Sequence, residues 1–297
     1  MGCFYISHRL IQKKLIPLVF ILPAFIVFLV FSWYPIILGL VMSFQRIYPD
    51  GHGEFIGLKN FMNLLSDPLF LIAWKNTFKF VFWSLIISFF IPVVVSILLN
   101  EIRRYRSFFR LAIYLPVMLP GVAIFVLWTW LYHPEQGLFN ILLGFLHIEP
   151  QGWLQNQTLV IPSLVFMSAW AGFGGASLLY LSALQGIPEE WYEAAEMDGA
   201  SISQRLWHVT LPSIRPLMLI LLLLQIMGTT QVFGEPFVMT KGGPNNASLT
   251  ILLLLYRYAF QYFDFGIATA GSLILFIFLI ICTVIYTRVV RKYAQIT

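Results

Sequence analysis

Six stretches of this chain, at 15–45, 80–100, 111–134, 150–188, 216–234 and 265–287, contain no charged side chain, and no other window of similar length does so. This pattern limits the possible folds more than any other feature. A helix needs about 20 mostly apolar residues to cross the hydrocarbon core of a bilayer, and a charge facing lipid costs several kcal/mol. Composition agrees: 10% of the 297 residues are charged and 59% are apolar, whereas soluble domains carry roughly 25% charged residues. A soluble one- or two-domain protein is thereby excluded. The windows predict an all-α integral membrane protein with six transmembrane helices in a single domain over 1–297. The spans fall at about 17–40, 78–99, 111–131, 159–183, 215–234 and 265–287. The 150–188 window opens on the polar QGWLQNQT and so holds one span. LTILLLLY (249–256) is too short to cross and is broken off by Arg257.

Lys and Arg are split unevenly between the two faces. With the N-terminus inside, twelve are cytoplasmic: Arg9, Lys13 and Lys14; Arg103, Arg104, Arg106 and Arg110; Arg205 and Arg215; Arg288, Arg291 and Lys292. Six lie outside: Arg46, Lys59, Lys75, Lys79, Lys241 and Arg257. Positive charge collects on the cytoplasmic side, so both termini are expected in the cytoplasm; the membrane itself is expected to be a bacterial plasma (inner) membrane. The net charge of +5 then reads as attraction to the anionic lipid bilayer, with no nucleic acid to invoke. The opening MGCFYISHRLIQKK has no small-residue cleavage site, so it reads as the lead-in to a retained first helix. Gly2 lacks the Ser or Thr that a myristoylation signal needs. Cys3 and Cys282 have no metal or redox spacing, and no metal is expected. Asn156-Gln-Thr and Asn246-Ala-Ser match the glycosylation pattern, by chance in a bacterial protein.

Along the chain, Pro23 and Pro35 interrupt the first span, FIGLKNFMNLL reads as a short amphipathic helix outside, and Pro116 and Pro120-Gly121 fall early in the third span. The fourth contains AGFGGAS, whose Gly172, Gly174 and Gly175 suit close helix packing. Against this background residues 189–201, EEWYEAAEMDGAS, hold five of the thirteen carboxylates. They lie in the longest cytoplasmic segment, 184–213. Pro188 suits a first helical position, Glu189 and Glu190 the first turn, and Gly199 a left-handed stop. Ser201 to Gln204 fits a capping box for a second helix. On the first helix Ile187, Trp191, Ala194 and Asp198 share one face, and Glu189, Glu193 and Glu196 another. A helix lying on lipid headgroups is normally rich in Lys and Arg, so these carboxylates point instead to docking on a basic soluble partner.

Glu193-Ala194-Ala195, Gly199, Val209 and Leu211-Pro212 stand at the spacing of the EAA loop, and the chain here resembles the permease subunits of binding-protein-dependent ABC importers. Val209 stands where that family usually has Ile. LPGVAIFVLWTWLYHPEQGLFN (119–140), KNTFKF (75–80) and MTKGGPNNAS with LYRYAFQYFDFGIATAGS (239–272) are similar to carbohydrate-uptake permeases of the maltose and glycerol-phosphate type. The resemblance implies a type I ABC importer permease fold and a pore subunit that does no chemistry. A second homologous permease would complete the pore, a cytoplasmic ATPase dimer would bind ATP and Mg and dock at the loop, and an external solute-binding protein would deliver the solute. This chain itself would bind no cofactor. By carry-over, Glu193 would make the polar contact with the ATPase, with Ala194 and Ala195 fitting against it. Asp198 belongs to the same coupling stretch, Gly199 would make the turn, and Leu211-Pro212 would join the loop to the fifth span. The chain lacks the extra N-terminal helices and large external domain of the best-known maltose permease, so maltose itself is not implied.

Apart from Lys79 and Arg215 at their edges, the predicted spans hold no charged residues, which favours a neutral solute. Gln225, Thr229 and Gln231 are candidates for the solute pathway, Gln225 and Thr229 sharing a face at i and i+4. The commoner role of such residues is bonding to neighbouring helices. Trp128, Trp130 and Trp170 offer faces for sugars. A sugar or oligosaccharide is the expected solute, and glycerol phosphate, a glycerophosphodiester or a polyol the alternative. A secondary transporter would normally show intramembrane ionisable groups, and it would leave the acidic loop unexplained. An enzyme would need a nucleophile–base pair or metal set at membrane depth, and His8, His52, His133, His147 and His208 all lie in loops or near helix ends.

Overall fold

Long runs of Leu, Ile, Val and Phe placed in lipid must close every backbone hydrogen bond within themselves, which leaves helix as their outlet. The computed structural model describes residues 19–102 and 104–294. The expectations for Gly2, Cys3, His8, Arg9, Lys13, Lys14 and Arg103, for the start of the first span at 17, and for the side chains of Arg106, Arg291 and Lys292 lie outside what it describes. In chain order the helices are α1 (Val19–Met42), α2 (Lys59–Ser66), α3 (Pro68–Ile87), α4 (Phe90–Glu101), α5 (Arg106–Met118) and α6 (Gly121–Leu131). They continue as α7 (Leu138–Phe145), α8 (Val160–Leu184), α9 (Glu189–Met197), α10 (Ile202–Thr230), α11 (Ile251–Phe260) and α12 (Phe265–Ala294). Between α1 and α2 a hairpin pairs β1 (Gln45–Ile47) antiparallel with β2 (Gly53–Phe55), Arg46 opposite Glu54.

Among the described residues five helical stretches are long and apolar enough to cross a membrane, and six if a bent pair counts as one. The bent pair is α5 and α6, which meet at 96°. Its cause is Leu119-Pro120: a proline ring pushes the preceding residue out of the α region, and Leu119 is extended at ψ 142°. The third predicted span is therefore not a straight helix. The second starts at Pro68, ten residues before the predicted start at 78. Asp67 caps it by accepting from the Leu69 backbone N–H at 2.8 Å, and Pro68 takes the first turn. Lys75 and Lys79 lie within this helix, and so hid its start from a charge-based reading. In α1, Pro35 cannot donate to the Phe31 carbonyl, and the helix widens to a π turn at Leu29–Trp33.

By its contacts the chain forms two compact units. One comprises residues up to Leu64 and Tyr258–Leu275. In it the buried Asn60 amide donates to the carbonyls of Ser43 (3.0 Å) and Gln45 (2.8 Å), tying α2 to the exit of α1. In the hairpin Tyr48 Oη donates to Glu54 at 2.9 Å, and that bond raises the Tyr48 pKa. The apolar window of α1 has no buried residue. Such a surface is not stable against water.

The other unit comprises Leu65–Arg257 and the chain after Leu275. Its centre is α8, which packs against α3, α4, α5 and α10. At one end Ile124, Trp128, Tyr132, Leu164 and Met167 form a buried cluster with Phe80. Tyr132 Oη donates to the Ser163 carbonyl at 2.8 Å, and burial raises its pKa, so it stays a donor. At the other, Val93, Tyr180, Leu184 and Ile214 close a second cluster. Gly174 on α8 faces α5 so closely that a Cβ there would overlap the Ile113 carbonyl oxygen. Of the three glycines expected to serve packing, it alone does so.

Candidate functional site

Two features of the larger unit bring the sequence candidates together. The first is the acidic helix α9. Pro188 stands at its N-cap, one place before the expected position, with Glu189 and Glu190 in the first turn. Gly199 adopts φ +76°, and the end closes by two crossed backbone bonds: Gly199 N–H to Glu196 O (2.9 Å) and Ala200 N–H to Ala195 O (2.9 Å). This is the Schellman arrangement, which satisfies carbonyls a helix end leaves orphaned. One residue later the Ser201–Gln204 capping box starts α10, with Ser201 N–H donating to Gln204 Oε1 at 2.8 Å. A helix, a sharp turn and a second helix are thus fixed by bonds within a dozen residues.

Two side-chain links hold α9 to α10. Glu196 pairs with Arg205, and the Tyr192 and Thr210 hydroxyls lie 3.0 Å apart. Glu196 is therefore engaged within the chain while its side chain stays exposed, alongside Glu189 and Glu193. Those two remain exposed, as do Ala194, Trp191 and Met197. Ala195, Asp198, Gly199, Gln204, Arg205 and His208 line a groove of about 260 Å³ behind the turn. Ahead of Pro212, α10 contains a π turn at Leu206–Thr210. Leu211 then packs on the Tyr180–Ile214 cluster while Pro212 is exposed.

The second feature is a cavity of about 510 Å³ walled by α3, α4, α6, α8, α10 and the chain just after α10, a size within the ~300–1,000 Å³ typical of small-molecule sites. All three pathway candidates, Gln225, Thr229 and Gln231, line it. The two roles weighed for them coincide. Gln225 donates its amide to Ser84 Oγ on α3, and the Thr229 hydroxyl lies 3.1 Å from the same oxygen. Bonding between helices thus presents these groups to the cavity. Gln231 is at the C-cap, its amide returning to the Met227 carbonyl at 3.1 Å. Trp128 is in the buried cluster, and neither it, Trp130 nor Trp170 lines this space. Gly172 does line it, and Gly175 has nothing within 4 Å.

The expected fifth span runs to 234, but α10 ends at Thr230. Gly228, Thr229, Thr230 and Val232 are weak helix formers, and the Thr250 hydroxyl captures the Val232 carbonyl at 2.9 Å. The released segment 231–235 runs along the cavity and brings in Glu235, a carboxylate the sequence reading did not select. Its Oε1 accepts from Ser168 Oγ on α8 at 2.8 Å. The expectation of charge-free walls fails at this position. A signal was present: Glu235 is the first charge after the 216–234 window.

The chain has clear relatives. Residues 93–295 match the family described as "Binding-protein-dependent transport system inner membrane component". The arabinooligosaccharides transport system permease protein AraP of Bacillus subtilis is 33% identical over 92% of this chain and 88% of its own length. The trehalose/maltose transport system permease protein MalF of Thermococcus litoralis is 31% identical over 91% of this chain and 92% of its own. Among solved structures, a chain of the bacterial alginate ABC transporter in complex with alginate pentasaccharide-bound periplasmic protein superposes with a TM-score of 0.86. That match has 25% identity and covers 96% of this chain and 97% of the other.

Proposed function

The chain belongs to the family of inner-membrane components of binding-protein-dependent transport systems, and on that premise we propose that it is the pore subunit of an ATP-driven importer for a sugar or oligosaccharide. The sugar class is supported by AraP and MalF, named for arabinooligosaccharides and for trehalose/maltose. An external solute-binding protein is the partner supported by the alginate transporter structure, which holds a periplasmic protein. A second homologous permease and a cytoplasmic ATPase dimer complete the machine. ATP and Mg sit on that dimer, and this chain does no chemistry. Six spans cross the membrane, with α5 and α6 forming one, and both termini lie in the cytoplasm.

The observation that carries this reading is the continuity of α10. Its first turns wall the groove behind Gly199, and its last turns present Gln225 and Thr229 to the cavity. At a rise of ~1.5 Å per residue, its 29 residues make one lever roughly 43 Å long. The ATPase grips α9 through Glu193, Ala194 and Ala195, while Asp198 and Gly199 set the turn. Leu211 and Pro212 pass the displacement into α10. ATP shifts the conformational balance only as far as its contacts differ between the two states, so the grip on α9 sets the coupling.

The test is co-purification of tagged chain with its partner permease and ATPase, comparing wild type with Glu193→Lys. Retention of the ATPase by wild type, with loss or uncoupled hydrolysis in the variant, is the expected result. Equal retention and equal sugar uptake would remove α9 from the coupling role.

A further inference from the structure

The cavity that Gln225 and Thr229 line holds one ionisable side chain among the described residues, Glu235. A carboxylate offers about four acceptor positions. In the described structure it has one hydrogen-bond partner, Ser168, and no cation within ion-pair distance. The Ser168 hydroxyl has a single proton and also lies 3.0 Å from the Leu164 carbonyl. The charged oxygen is the stronger acceptor of the two. Glu235 is thereby held against α8 with most of its accepting capacity unused. Around it Phe80, Phe125, Phe173 and Phe233 contribute apolar walls, and walls of low dielectric concentrate the field of a lone charge into the open space. An ionisable group at such a place is costly and marks function by default.

We propose that Glu235 is a charge filter. It accepts hydrogen bonds from the hydroxyl or ammonium groups of an uncharged or amino sugar in the cavity, and it excludes uronate sugars and phosphate esters. The rest of the wall fits that class. Ser84, Ser88, Thr229 and Gln231 provide hydroxyl and amide partners, and the phenyl rings suit the apolar faces of sugar rings. An anionic solute would meet a carboxylate here with no Lys, Arg or His on the wall to offset it. This inference rests on the reading of the cavity as the solute path.

The test uses the assembled importer in membranes, with Cys3 and Cys282 replaced and Ala176→Cys placed in the cavity wall. Two thiol reagents of similar size are compared, the trimethylammonium and the sulfonate methanethiosulfonates. Each rate is divided by the reagent's rate with a free thiol in solution. The cationic reagent is expected to react roughly tenfold faster than the anionic one, an effect within the Coulomb range for charges about 12 Å apart, the helical distance from Ser168 to position 176 at ~1.5 Å per residue, at an effective dielectric of about 40. Glu235→Gln should bring that ratio close to one. A ratio near one in the Glu235 protein, or one unchanged by Glu235→Gln, overturns the filter and leaves the solute path standing. No reaction with either reagent overturns the solute path and the filter together. Trigalacturonate slowing the labelling as strongly as maltotriose would overturn the solute class even with the rate ratio intact.

Discussion

Gly199 allows the proposed coupling turn to be perturbed with one variable at a time. Its φ of +76° lies where residues with a Cβ are strained, yet a Cβ built there has nothing within 4 Å. A substitution therefore costs only backbone energy. For an L-residue the left-handed conformation costs about 1–2 kcal/mol. Asn pays less because it visits that region readily, and a β-branched residue pays most. Helix α9 has no buried residue, so packing does not hold the turn once the strain sets in. A penalty of about 1–2 kcal/mol lowers the ratio of closed to open turn by roughly 5–30-fold, and ATPase binding falls with it by up to that factor. The assay is titration of the ATPase onto the tagged permease pair for Gly199→Asn, Gly199→Ala and Gly199→Val. The expected order of affinity is Gly, then Asn, then Ala, then Val, with little change in the melting temperature of the pair. Asn is larger than Ala, so backbone strain and steric bulk rank them oppositely. Ala binding better than Asn would refute the strain argument. Equal binding by all four would mean that the turn is not what positions α9.

Two further predictions concern the scaffold. Asn140 is buried, and its amide bridges the carbonyls of Pro134 (2.8 Å) and Gln151 (2.9 Å) while its oxygen accepts from Gln151 N–H and Trp153 Nε1, both at 3.0 Å. Asn140→Ala strands two donors at about 1–3 kcal/mol each, so a clear drop in thermal melting is expected, and an unchanged melt would show that water replaces the amide. Gly174→Ala should destabilise by about 1–3 kcal/mol, because overpacking forces α5 and α8 apart. Gly175→Ala, with open space at its Cβ, should melt like wild type.

What could be read from the sequence follows the distance over which each feature is determined. The turn at Gly199 was legible because every bond that shapes it closes within six residues: Ala200 to Ala195, Gly199 to Glu196, Ser201 to Gln204. Gln225 and Thr229 were legible as a face because helical spacing alone puts them together. The three glycines of α8 were not separable, since only the approach of Ile113 and the position of the cavity distinguish Gly174, Gly172 and Gly175. Glu235 was missed for the same kind of reason. A census of charges inside apolar windows stops at 234, whereas the helix stops at Thr230 because a hydroxyl eighteen residues away, that of Thr250, takes the Val232 carbonyl. That distant contact moves the chain off the helix path and places a carboxylate on the cavity wall. In a membrane protein the end of an apolar run marks where charge becomes tolerable, not where the helix ends. Where the two differ by a few residues, the intervening segment can carry a charge to an internal cavity, and the first charged residue beyond each window is the one to examine.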